Sequence, residues 1–108
     1  MPKSLYPGNK FEQMRHRSFT RSRCQAHFRG EVWELTLEEW RLLWTPERWS
    51  QRGKATDSLC MTRIDPTQPW NKVNACVVTR VNHLQMKAIF KYGGDITPHL
   101  QGAHRICQ

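Results

Sequence analysis

The stretch Leu59–Leu84, LCMTRIDPTQPWNKVNACVVTRVNHL, decides the fold. It reads as two short strands joined by a long turn and followed by a helix. That helix runs from about Val81 to Lys91, where Gly93 and Gly94 stop it. With helices upstream of it, this segment makes the chain α+β.

Upstream, Thr36-Leu37-Glu38-Glu39 is a capping box, in which the Thr36 hydroxyl accepts from the Glu39 backbone while the Glu39 carboxylate reaches back. It opens a short helix through about Trp44 that places Leu37, Trp40, Leu43 and Trp44 on one face, and Pro46 ends it or starts the next turn. Between about Phe11 and Arg29 no helix breaker occurs, and Gly30 follows where a helix would end. The apolar residues of that segment, Phe11, Met14, Phe19 and Phe28, are only approximately helical in spacing. Residues 1–9, with Pro2, Pro7 and Gly8, read as a flexible arm, and residues 10–92 as one domain with a basic N-terminal helix. Ser50–Thr56 is a polar link without a phosphate-loop pattern, in which Arg52 and Lys54 are further candidates for phosphate contact. The tail, 93–108, has little periodicity and is either a strap over the core or disordered.

A chain of 108 residues has room for one modest core. No stretch is long or apolar enough to cross a membrane, and Met-Pro-Lys-Ser lacks the apolar run of a secretory signal, so the expected location is the cytoplasm. Cys24, Cys60, Cys76 and Cys107 are too widely spaced for a zinc knuckle and read as free thiols, Cys60 and Cys76 being partly buried in the strands. A distributed site of Cys107 with His99 and His104 matches no standard zinc module. Of the five tryptophans, Trp33, Trp40 and Trp44 are expected in the core, whereas Trp49 and Trp70 suit either the core or base stacking.

Charge is the second strong signal. The formal net charge is +8, and residues 1–30 carry Lys3, Lys10, Arg15, Arg17, Arg21, Arg23 and Arg29 against Glu12. Such a segment is an electrostatic footprint for phosphate, although a basic stretch is often no more than a solvated helix face. Arg63, Lys72, Arg80 and Lys87 add a second basic group on the strand–turn–strand–helix segment. Together these residues are the candidate nucleic-acid contacts.

The same segment resembles the ββα-metal core of the HNH endonuclease superfamily, as seen in small phage and mobile-element proteins. In that pattern the first strand ends in D-H-I-D or D-R-I-D, and the turn carries an N-x-x-N or G-x-x-N step. The second strand ends in V-T-R and the helix presents a His or Asn. The matching positions here are Thr62-Arg63-Ile64-Asp65, Asn74, Val78-Thr79-Arg80 and His83. The resemblance implies N-terminal helices packed on an HNH-like core, with Asn74 and His83 as the retained catalytic positions.

Two chemically essential positions are altered. Phosphodiester hydrolysis needs a divalent cation held by a carboxylate and a His or Asn, and a base to deprotonate water. The carboxylate position is Thr62, a poor ligand for a hard cation, and the general-base position is Arg63, which cannot accept a proton but holds phosphate well. Asp65 lies nearby, but at a strand end its side chain points to the opposite face from Thr62.

The segment Gln25–Trp49, with Arg29-Gly30-Glu31-Val32-Trp33-Glu34-Leu35-Thr36, resembles the upstream half of small phage and prophage proteins in which R-G-x-x-W-x-L-T precedes such a core. Three functions then compete. The first is DNA binding on a nuclease-like fold whose catalysis is lost. The second is an active endonuclease in which His83, Asn74 and a carboxylate such as Asp65 or Asp57 hold a divalent ion (Mg, Mn, Ni or Zn). The third is a phage protein that binds a host DNA-processing enzyme.

Overall fold

The structure is a computed structural model and describes residues 8–106. Helix α1, Lys10–Phe28, is opened by the Asn9 side chain, which accepts from the Glu12 backbone N–H at 3.0 Å. It is closed at Gly30, whose φ of 74° is the left-handed conformation that glycine adopts without a Cβ clash. The inner stripe of α1 differs from the apolar set seen in the sequence. Arg15, Phe19 and Ala26 are buried and Phe11 packs beside them, while Met14 is half exposed and Phe28 is 92% exposed. Phe11, Arg15, Phe19 and Ala26 share one face because they fall at steps close to multiples of the helical turn.

Helix α2, Leu37–Leu43, carries the expected capping box, with Glu39 N–H donating to Thr36 Oγ1 at 3.1 Å and Thr36 N–H donating to Glu39 Oε1 at 2.9 Å. Helix α3, Pro46–Ser50, begins at the Thr45 cap, so Pro46 starts a new turn at a position where its missing N–H leaves nothing unpaired. These helices wrap an aromatic cluster. Phe19 meets Trp33 and Trp40 at ring separations of 5.8 Å, Trp33 meets Trp70 at 5.8 Å, and Trp44 meets Trp49 edge-on at 6.1 Å. Trp49 and Trp70 are both 8% exposed, so they are core residues and present no face to a nucleobase.

Strand β1, Leu59–Arg63, and strand β2, Ala75–Thr79, pair antiparallel with Met61 opposite Val77. Because side chains alternate, Leu59, Met61, Ala75 and Val77 pack into the aromatic layer, while Cys76 and Val78 face the other way. Helix α4, Arg80–Lys91, starts one residue earlier than the sequence suggests, because Thr79 caps it by accepting from Asn82 N–H. Its buried Met86 covers the second face of the sheet with Cys76 and Val78. The order strand, turn, strand, helix is therefore as read, and the molecule is α+β.

The tail is a strap. A 3₁₀ turn, Thr97–Leu100, and a short strand β3, His104–Arg105, complete a three-stranded sheet of order β1-β2-β3. Ile96, Leu100 and Ala103 close over Cys76 and Val78, so the packed unit runs well past residue 92. Asn82 and His99 lock the strap to α4, with Asn82 Nδ2 donating to the His99 carbonyl at 2.7 Å and His99 Nδ1 set 2.8 Å from Asn82 Oδ1. Among the described residues no helix is long and apolar enough to cross a membrane. The Pro2–Pro7 part of the expected arm and Cys107 lie outside the described residues.

Candidate nucleic-acid interface

As an outer strand of the sheet, β1 leaves one edge unpaired by β2, and a cavity of about 390 Å³ opens beside it. Thr62, Arg63, His83 and Lys87 line it together with Arg29, Glu31 and Phe90. The fold thus brings the adjacent carboxylate and base positions of the resemblance, Thr62 and Arg63, to the same cavity as the helix-borne His83, which is distant in sequence. Thr62 is buried, and Arg63, one residue later, points to the other face of the strand.

Arg63 was expected to meet phosphate, but its charge is already matched. Its Nη2 donates to Glu31 Oε2 at 3.0 Å and its Nη1 to the Gln68 carbonyl at 2.9 Å, while the guanidinium lies 5.2 Å from the Trp70 ring centroid. Glu31 Oε1 also accepts from Arg29 Nη2 at 3.1 Å and Trp70 Nε1 at 3.0 Å. Burial pushes the Glu31 carboxyl up, yet the hydrogen bonds from Trp70 and Arg29 and the charges of Arg63 and Arg29 outweigh it and hold the group below its usual value. The group is a bridge tying the end of α1 to the β1–β2 turn. The sequence reading missed Glu31 because its partners Arg63 and Trp70 are 32 and 39 residues away.

Asn74 sits in the turn and is committed to it. Its Oδ1 accepts from Asp65 N–H at 2.8 Å, and its Nδ2 donates to the carbonyls of Asp65 and Pro69, each at 2.9 Å. A buried amide used in this way orders backbone, and Asn74 does not line the cavity that holds His83. Asp65 is likewise turned to local use. Its Oδ1 accepts from Thr67 N–H at 2.9 Å and from Thr67 Oγ1 at 2.6 Å, and these bonds hold its carboxyl below the usual range.

His83 faces the cavity with a buried Nδ1 that has no hydrogen-bond partner. Burial lowers its pKa, and the charges of Lys87 and Arg80 lower it further, so the ring is neutral at pH 7. The donors do not fit a divalent cation. The carboxylate lining the cavity, Glu31, is saturated by arginines and Trp70, Asp65 is not among the lining residues, and the described residues contain no group of three His, Cys, Asp or Glu able to hold a metal. The His83–Asp65 metal pair is therefore not assembled. His99 is bound to Asn82, and among the described residues, which do not include Cys107, no metal-holding group contains His99 or His104.

The remaining basic residues divide by exposure. Arg15 was expected to face DNA but is buried: its Nη1 lies 3.0 Å from Glu12 Oε1 and its guanidinium 5.1 Å from the Phe11 ring. Arg17, Arg21 and Arg23 project from α1 into solvent, Lys72 from the turn, and Arg80 and Lys87 from α4. On α4, Arg80, His83 and Lys87 follow one another at helical spacing and so share a face. Arg29 joins the two groups, because it lines the cavity with Lys87 and also a groove on α1 with Arg21 and Phe28. In the polar link, the Arg52 guanidinium carbon lies over Trp49, 3.8 Å from the ring centroid. No family model matches the chain, and neither a curated protein nor a solved structure matches it.

Proposed function

We propose that this is a DNA-binding protein of phage or mobile-element type, built on an HNH-like ββα core whose hydrolytic positions have been replaced. The observation that carries the reading is the set of exposed cations joined through Arg29. Arg29 lines a groove on α1 with Arg21 and the β1 cavity with Lys87, while Arg17 and Arg23 on α1 and Arg80 on α4 are exposed as well. Their role is to hold phosphate. Thr62 and Arg63 stand where a hydrolase needs a carboxylate and a base, and the Arg63–Glu31 pair makes that corner structural. Neutral His83 shares the cavity with Glu31, whose carboxylate is taken up by Arg63, Arg29 and Trp70, and among the described residues it belongs to no group of three His, Cys, Asp or Glu that could hold a cation.

A mobility-shift titration of plasmid DNA at several salt concentrations tests this reading. Binding weakens steeply with salt because phosphate contacts release counterions, and removing an exposed cation with Arg21→Ala or Lys87→Ala lowers the logarithmic salt slope by about 1. Arg15→Ala leaves the slope unchanged, since its guanidinium is turned inward. A plasmid-nicking arm with magnesium, manganese, nickel or zinc covers the endonuclease alternative: metal-dependent cutting abolished in His83→Ala would overturn the binding-only reading. Absence of any salt-sensitive shift would overturn it in favour of a protein target such as a host DNA-processing enzyme.

A further inference from the structure

We infer that the DNA bound at this face is single-stranded, with bases stacked on Phe28 and on the aromatic end of α4 while phosphates rest on Arg29 and Lys87; this rests on the DNA-binding reading above. Phe28 is the last residue of α1 and is 92% exposed, in a molecule that buries Phe19, Trp40, Trp44, Trp49 and Trp70. It is flanked by cations. With Cys24, Val32 and Trp33 it lines an apolar groove of about 780 Å³ edged by Arg23 and His27, and it lines a second groove with Arg21 and Arg29.

The end of α4 repeats the arrangement. Phe90 is 37% exposed and lines the β1 cavity with Arg29 and Lys87, and Tyr92 is 82% exposed with Lys91 Nζ 5.9 Å from its ring centroid. Exposed rings alternating with cations suit a strand that offers both unstacked bases and phosphates. A duplex has its bases stacked and paired inside and gives these rings nothing to cover. The charge argues against a peptide occupant of the basic kind, because Glu31, the acid lining these grooves, is neutralised by Arg63 and Arg29.

The test is fluorescence anisotropy with labelled oligo(dT) of about 12 nucleotides, a duplex of the same length and oligo(rU), in low and moderate salt. The expected result is that oligo(dT) binds more tightly than the duplex. Phe28→Leu, which keeps an apolar side chain without a π face, and Tyr92→Ala each weaken oligo(dT) about ten-fold and leave the duplex unchanged. Phe28→Trp retains oligo(dT) affinity, and the exposed indole it introduces is quenched on binding. Both positions are solvent-facing, so unchanged thermal melting of the variants separates contact from folding. If duplex and oligo(dT) bind equally and Phe28→Leu has no effect, the single-strand inference falls while DNA binding stands. Oligo(rU) bound about ten-fold more tightly than oligo(dT) would overturn the assignment to DNA, since the 2′-hydroxyl would then be recognised. Failure of all three probes to bind would overturn this inference together with the reading beneath it.

Discussion

At the scale of single residues, Asn74, which resembles a catalytic group, is tied firmly into the β1–β2 turn. Asn74→Ala removes an amide that serves the Asp65 N–H and the carbonyls of Asp65 and Pro69, leaving part-buried backbone groups without this partner. We expect it to cost about 2–4 kcal/mol, read as a lowered urea midpoint at unchanged slope. An affinity loss for DNA without loss of stability would contradict the structural role. His83 gives a pH signature. Its folded pKa is lowered from 6.5, first by burial and then by Lys87 and Arg80, so just below pH 6.5 the unfolded chain holds more protons than the folded one. The stability tied to its neutral form is present above that pH and is lost as pH falls from 6.5 through the lowered value. His104, lowered by burial and by Arg48, acts in the same direction. His83→Gln should therefore shrink, but not abolish, the difference between urea midpoints measured at about pH 7.5 and about pH 5.

At the scale of elements, local rules govern where helices begin and tertiary contacts govern which face they bury. The α2 box is a local device, and its two hydrogen bonds match what Thr36 and Glu39 announce in the sequence. Thr36→Ala should destabilise the protein by about 1 kcal/mol, with Thr36→Ser close to the original in thermal denaturation. Helix α1 shows the other case. Arg15 lies in its inner stripe because Glu12 neutralises it, and Glu12 in turn is held by Arg41 of α2 at 3.2 Å. A helix whose inward face contains a paired arginine does not show a clean apolar period, which is why the spacing of Phe11, Met14, Phe19 and Phe28 is only approximately helical.

Across the whole molecule, one sheet separates two packed layers, and each layer depends on a segment distant in sequence. The aromatic layer needs the β1–β2 turn, which returns Trp70 to Trp33, with Glu34 N–H donating to the Trp70 carbonyl at 2.7 Å and Trp70 N–H to the Val32 carbonyl at 2.8 Å. The opposite layer needs the tail, which closes over Cys76. Burial pushes the Cys76 thiol up to about 12, so in the folded protein it is neither ionised nor accessible, whereas Cys24 is exposed. In alkylation followed by mass spectrometry, Cys24 should react rapidly and Cys76 should not. Asn82→Ala, which cuts both bonds to His99, should speed labelling of Cys76 while leaving Cys24 unchanged. Equal labelling of Cys76 in both proteins would show that the strap does not depend on this lock.

Much of the architecture is local and was readable in advance. Thr36-Leu37-Glu38-Glu39, Gly30, the paired strands around a long turn and the stop at Gly93 each act through backbone geometry within a few residues, so the chain announces them wherever it folds. Net charge is likewise a property of composition. The fate of individual charges was not readable. Arg15 and Arg63 look the same in sequence as Arg17 and Arg21, yet Glu12 and Glu31 draw the first two inward, through contacts one helical turn and 32 residues away. Asn74 and Asp65 keep the identities of site residues but spend their hydrogen bonds on the turn, and Phe28 looks like core but stands in solvent. Ion pairing and burial depend on distances between elements, and those distances exist only once helices, sheet and strap have packed.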